Sequence, residues 1–174
     1  MMKNLISLTL LTFLVAFLSP STQHPLSAQA NSLITTTCKK TSFYQLCVST
    51  LTSDSRSKSS DLSTLGLIVV DAIKAKSTST LTQINKLMNS TPQLRGPLRK
   101  CVDFYKGVLG VIPTAVEALT KGDPKFAESS MVDAANEAES CEKSFGKSKS
   151  PLSDMNKVVH DLSVVATTII RMLL

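Results

Sequence analysis

The sequence predicts an all-α fold: an up-down-up-down four-helix bundle, preceded by a short N-terminal helical hairpin and held by two disulfides. Three observations carry that prediction. Apolar residues recur at three- and four-residue spacing over four long stretches. Strand signals are missing, with no sustained alternation and no Asn-Gly or Asp-Gly turn between apolar runs. Four cysteines, Cys38, Cys47, Cys101 and Cys141, lie in this helix-patterned sequence behind an apolar leader. An even cysteine count after an export signal reads as disulfides made in an oxidising compartment.

The leader occupies residues 1–30. Lys3 is its only charge, Leu5 to Leu18 is mostly apolar, and Ala28-Gln29-Ala30 supplies a small-x-small cleavage pattern. The apolar run is shorter than the roughly 20 residues a membrane-spanning helix needs. A cleaved secretory signal is therefore expected, with the cut after Ala30. Residues 31–174 remain as one domain, divided into a hairpin over 31–52 and a bundle over 61–174.

Within the hairpin, Ser32 to Thr37 and Ser42 to Thr50 read as two short helices, each marginal by itself. The polar stretch Ser53 to Ser60 reads as a loop. The first long helix starts at an Asp61 N-cap and runs toward Asn89. Leu62, Leu65, Val69, Ile73, Ile84 and Leu87 mark its apolar face. Ser90-Thr91-Pro92 ends it, because the residue before proline is driven out of the helical region. The second covers about Gln93 to Leu119, with Leu98, Cys101, Tyr105, Ile112 and Val116 on one face. Pro113 should kink it, and Gly122 is a natural stop. The third opens at Asp123-Pro124, an N-cap followed by proline at the first helical position. Phe126, Ser130, Ala134, Ala138, Cys141 and Phe145 form its stripe. The fourth starts at Ser150-Pro151 and carries Leu152, Val159, Leu162, Ala166 and Ile169 inward. Short connections make successive helices antiparallel neighbours.

Four cysteines allow three pairings. Cys38 and Cys47 bracket a short loop. Cys101 near the start of the second long helix and Cys141 near the end of the third fall at one level of an antiparallel pair. The pairing Cys38–Cys47 with Cys101–Cys141 satisfies both geometries and is favoured.

Parts for catalysis are missing. The net charge of +6 is scattered and carries no aromatic-interleaved basic stripe, which argues against nucleic acid. There is no phosphate-binding glycine loop and no Cys-x-x-Cys. His160 has no nucleophile or orienting partner in the pattern around it. The acids Glu128, Asp133, Glu137, Glu139 and Glu142 read as a solvated face. No cofactor or metal is expected, no membrane partner either, and the chain is expected to be a monomer. Asn89-Ser90-Thr91 is a formal glycosylation sequon, weakened by the Pro92 that follows. One segment stands apart. Lys121-Gly-Asp-Pro-Lys-Phe126 puts a cation and an aromatic ring in the first turn of a helix, where Lys125 opposes the helix dipole. Phe126 is either the first core residue or the tip of an exposed wedge.

These residues resemble a known family. The chain is similar to plant invertase inhibitors, from the group shared with pectin methylesterase inhibitors. The similarity rests on Thr37-Cys38 through Tyr44-Gln45-Leu46-Cys47, Asp71-Ala72-Ile73-Lys74-Ala75-Lys76, and Gly96-Pro97-Leu98 before Cys101. It continues with Glu117-Ala118-Leu119-Thr120-Lys121-Gly122-Asp123-Pro124-Lys125-Phe126, Ser148-Lys149-Ser150-Pro151 and the tail Ile170 to Leu174. It implies the same bundle and disulfides, and inhibition by a non-covalent complex. In invertase inhibitors the motif corresponding to Pro124, Lys125 and Phe126 enters the sucrose-binding cleft. Acid invertase is then the expected partner, with pectin methylesterase the alternative that shares bundle and cysteines. Pro124-Lys125-Phe126 favours invertase. A secreted helical module that binds a receptor or apolar ligand, without an enzyme target, is the third reading. The expected location is the cell wall, or alternatively the vacuole.

Overall fold

A computed structural model describes residues 25–59 and 61–174. Residues 1–24 of the predicted leader lie outside the described residues. Helix α1 spans Pro25–Cys38 and α2 spans Tyr44–Thr52. α1 thus begins before the predicted cut at Ala30. A 3-10 turn follows at Ser55–Ser59, where the sequence predicts a loop. Arg56 orders it, with its guanidinium 2.7 Å from Asp54 and 2.8 Å from Asp71 on the next helix.

The bundle consists of α3 (Leu62–Ser90), α4 (Arg95–Lys121), α5 (Pro124–Lys143) and α6 (Ser153–Arg171). A short 3-10 turn at Pro92–Leu94 joins α3 to α4. α3 packs on α4 and α6, and α5 packs on the same two, so four neighbours close a ring. Asp61 caps α3 as predicted, accepting from the Thr64 N–H at 2.7 Å. α4 continues through Pro113 to Lys121. Leu65, Val69, Ile73, Leu98, Val108, Met131, Leu162 and Ile169 are among the core residues withdrawn from solvent. The hairpin leans on the bundle through α2, which touches α3 and α6. Lys157 of α6 stands 5.2 Å over the Phe43 ring at the start of α2.

Both disulfides form the favoured pairs. Cys38–Cys47 joins α1 to the first turns of α2, with Cα atoms 5.5 Å apart. Cys101–Cys141 ties α4 to α5, with Cα atoms 4.7 Å apart. That close approach suits the small residues of α5: Ala127, Ala134 and Ala138 are fully buried.

A polar network crosses the same region of the core. The Tyr105 hydroxyl donates to Asn156 Oδ1 at 2.8 Å, and Asn156 Nδ2 donates to Glu142 at 2.6 Å. Ser153 Oγ donates to the other Glu142 oxygen at 2.6 Å. Burial pushes the Tyr105 phenol well above its ordinary range, so it remains a donor. Tyr105→Phe would leave a buried Asn156 oxygen without its donor. It should cost about 1–2 kcal/mol, read as a lower urea midpoint with an unchanged slope.

Candidate functional site at the α4–α5 turn

The segment that joins α4 to α5 is tightly specified. Gly122 ends α4 in the left-handed region at φ 78° and ψ 31°, where a side chain would be strained. The Asp123 N–H donates to the Ala118 carbonyl at 2.8 Å and completes the turn. Asp123 occupies the N-cap position of α5, but its carboxylate makes no capping bond, contrary to the sequence reading. Pro124 is the first helical residue and fixes the direction of entry. An exposed Glu117–Lys121 ion pair lies on the last turn of α4.

Phe126 is not a core residue. It is 60% exposed, whereas the sequence stripe placed it inward with Ser130 and Ala134. A helix turns 100° per residue, so four-residue steps drift 40° each. The buried face of α5 centres on Ala127, Met131, Ala134 and Ala138, and Phe126 has drifted off it. Among the described residues, the other large apolar side chains counted as exposed are Tyr44 and Val132, both at 37%, and the C-terminal Leu174. Phe126 is therefore the outlier inside the chain, forgoing roughly 1.5–3 kcal/mol that full burial would contribute. Its backbone is held, since Ser130 Oγ donates to the Phe126 carbonyl at 2.9 Å.

Lys125 stands beside it with a side chain 70% exposed. Its ammonium donates to Glu128 Oε2 at 2.8 Å. The other oxygen of Glu128 accepts from Arg171 Nε, in the last turn of α6, at 2.7 Å. The Glu128 side chain is only 11% exposed, so this acid is not part of a solvated face. Hydrogen bonds from Lys125, then from Arg171, hold its carboxyl below the usual range. The pairing is present above the ordinary carboxylate value of about 4.3 and is lost as pH falls through the lower folded value. Sequence reasoning missed this role for Glu128. Its spacing of three from Lys125 was a visible signal; its pairing with Arg171 comes from the antiparallel packing of α5 and α6.

The remaining candidate residues lie elsewhere. His160 is bonded to Asp161 at 3.0 Å and is far along α6 from Arg171. Glu142 belongs to the half-buried network with Asn156 and Ser153. Asn89 is exposed in the last turn of α3. Cys101–Cys141 sits at the end of α5 opposite Pro124 and does not brace the turn directly. Among the described residues, no helix is long and apolar enough to cross a membrane.

A short rigid turn that presents an aromatic ring beside an anchored cation is suited to filling a polar cleft on another protein. Comparison with known proteins places the chain among relatives. Residues 32–169 match the plant invertase/pectin methylesterase inhibitor family. A cell wall / vacuolar inhibitor of fructosidase from Arabidopsis thaliana is 43% identical over 139 residues, spanning 79% of this chain and 67% of that protein. A pectinesterase inhibitor from Actinidia deliciosa is 34% identical over 137 residues, spanning 78% and 74%. The crystal structure of a mutant form of an Arabidopsis pectin methylesterase inhibitor superposes with a TM-score of 0.71. It is 25% identical and covers 80% of this chain and 95% of its own. By the span of the match and the shared fold, this chain belongs to the plant invertase/pectin methylesterase inhibitor family, whose members are inhibitors of enzymes.

Proposed function

We propose that the secreted protein inhibits plant acid invertase by inserting Pro124, Lys125 and Phe126 into its sucrose-binding cleft. The carrying observation is Phe126, 60% exposed on a fixed turn beside Lys125. A retaining glycosidase flanks the scissile bond with two carboxyl groups. Lys125 would offer those groups a charge-assisted hydrogen bond, and Phe126 would occupy sugar-binding space. Pro124 limits the freedom lost on binding. The bundle adds flanking surface, and no covalent step is needed. The disulfides and the wall and vacuolar relatives support the secretory route. The cell wall is the favoured destination and the vacuole the alternative.

Inhibition of pectin methylesterase is the second reading, favoured by the Actinidia relative and the superposed structure. An apolar-ligand module fits less well, since Ala127 and Ala134 of α5 are fully buried against its neighbours and the opening beside Ala138 is lined mostly by polar and charged residues. The discriminating experiment titrates the protein secreted from the full-length chain, disulfides intact, against cell-wall invertase, vacuolar invertase and pectin methylesterase at acidic pH. Inhibition of at least one invertase is expected. Inhibition of the esterase alone would overturn the invertase reading.

A further inference from the structure

We propose that Glu128 and Arg171 form a clamp that positions Lys125, which makes the last turn of α6 part of the inhibitory surface. The inference rests on Lys125 being a target-binding residue.

The geometry separates this arrangement from an ordinary surface ion pair. Glu139–Lys143 and Glu117–Lys121 are within-helix pairs in which both side chains are at least half exposed. Such pairs contribute little. Glu128 is 11% exposed and joins two helices through residues 43 positions apart in the chain. Each of its oxygens accepts from a different cation. The carboxylate is thereby fixed, and the lysine that shares it is fixed at one end.

Two consequences follow for binding. A lysine has four rotatable bonds, and freezing them opposes association unless they are ordered beforehand. Glu128 takes one of the three ammonium donors, which leaves two for a partner. The second consequence concerns charge. Glu128 alone would neutralise Lys125 and compete with the carboxylates of a target. With Arg171 sharing the same carboxylate, the group of three keeps a net charge of +1 beside Phe126. Glu128 also offsets, through its direct ion pair, the poor placement of Lys125 against the helix dipole.

Glu128 and Arg171 are positioning residues, so the test must separate them from mere stabilisers. Inhibition constants against acid invertase would be measured for wild type, Glu128→Gln, Arg171→Met, Arg171→Lys, Lys125→Ala and the Lys125→Ala/Glu128→Gln double variant. Glu128→Gln and Arg171→Met should each weaken inhibition about 3- to 10-fold. Arg171→Lys should recover most of the loss. In the Lys125→Ala background, Glu128→Gln should change inhibition less than about twofold, because its effect passes through Lys125. Equal losses in both backgrounds, or wild-type or tighter inhibition by Glu128→Gln, would overturn the clamp. Should Glu128→Gln misfold, as judged by circular dichroism, Arg171→Met and its lysine rescue decide the question. Wild-type inhibition by Lys125→Ala would sink the wedge reading itself. A loss there with none in Glu128→Gln or Arg171→Met would remove the clamp alone.

Discussion

Lys125→Ala is expected to weaken inhibition of acid invertase by about 30-fold or more, with helicity and thermal midpoint unchanged. The magnitude follows from truncating a charged group at the centre of an interface. Such changes cost about 2 kcal/mol or above, and about 1.4 kcal/mol is tenfold. Much of that cost falls on the target carboxylate left unpaired in a closed cleft. The fold should not respond, because the side chain is 70% exposed and Glu128 keeps Arg171 as a partner. Phe126→Ala should act in the same direction. Its ring is 60% exposed, and alanine is the better helix former. The losses should combine less than additively, since both residues serve one insertion. Steady-state inhibition beside a thermal melt measures both quantities. Full inhibition by the Lys125→Ala variant would eliminate the wedge mechanism and leave the family membership untouched.

The elements were legible where a local signal defines them. Asp61 followed by Thr64 caps α3, Gly122 ends α4, and Pro124 opens α5. These depend on residues within one turn of each other. The cysteine pairing was legible because antiparallel neighbours bring Cys101 and Cys141 to one level. What stayed hidden depends on contacts between distant residues. Ser77 and Thr80 are buried in α3, although no apolar pattern marks them. Asn156 and Glu142 read as ordinary polar positions until Tyr105 and Ser153 are brought against them. For Phe126 the four-residue rhythm points inward and the turn chemistry points outward, and only the 40° drift of each step, seen in the assembled helix, decides for exposure. Glu128 reads as a solvated acid in the sequence because Arg171, its second partner, lies 43 residues away. The motif itself was visible, whereas its exposure and its anchoring belong to the assembled bundle.

Removing Cys101–Cys141 by paired alanine substitution should lower stability by about 4 kcal/mol. The chain between the two cysteines spans 40 residues, and loop-closure entropy for that length gives this figure. Against a typical total of about 5–15 kcal/mol, the loss is severe, and the thermal midpoint should fall by about 10 °C. Alanine is the right replacement, because both positions are fully buried and serine would add unpaired hydroxyls. The Cys38–Cys47 pair closes a separation of 9 residues, and its removal should cost about 2.5 kcal/mol. That loss would fall on the hairpin, whose short helices are marginal alone. The two variants should also differ from Lys125→Ala in kind. Cys141 lies about 25 Å along α5 from Pro124, at 1.5 Å per residue. Below its lowered melting temperature, the Cys101→Ala/Cys141→Ala variant should retain inhibition, because Gly122, Ser130, Glu128 and Arg171 still hold the wedge. Thermal melts paired with inhibition assays at low temperature check both halves. Lost inhibition at a temperature where the variant is still folded would mean that the disulfide shapes the binding surface directly.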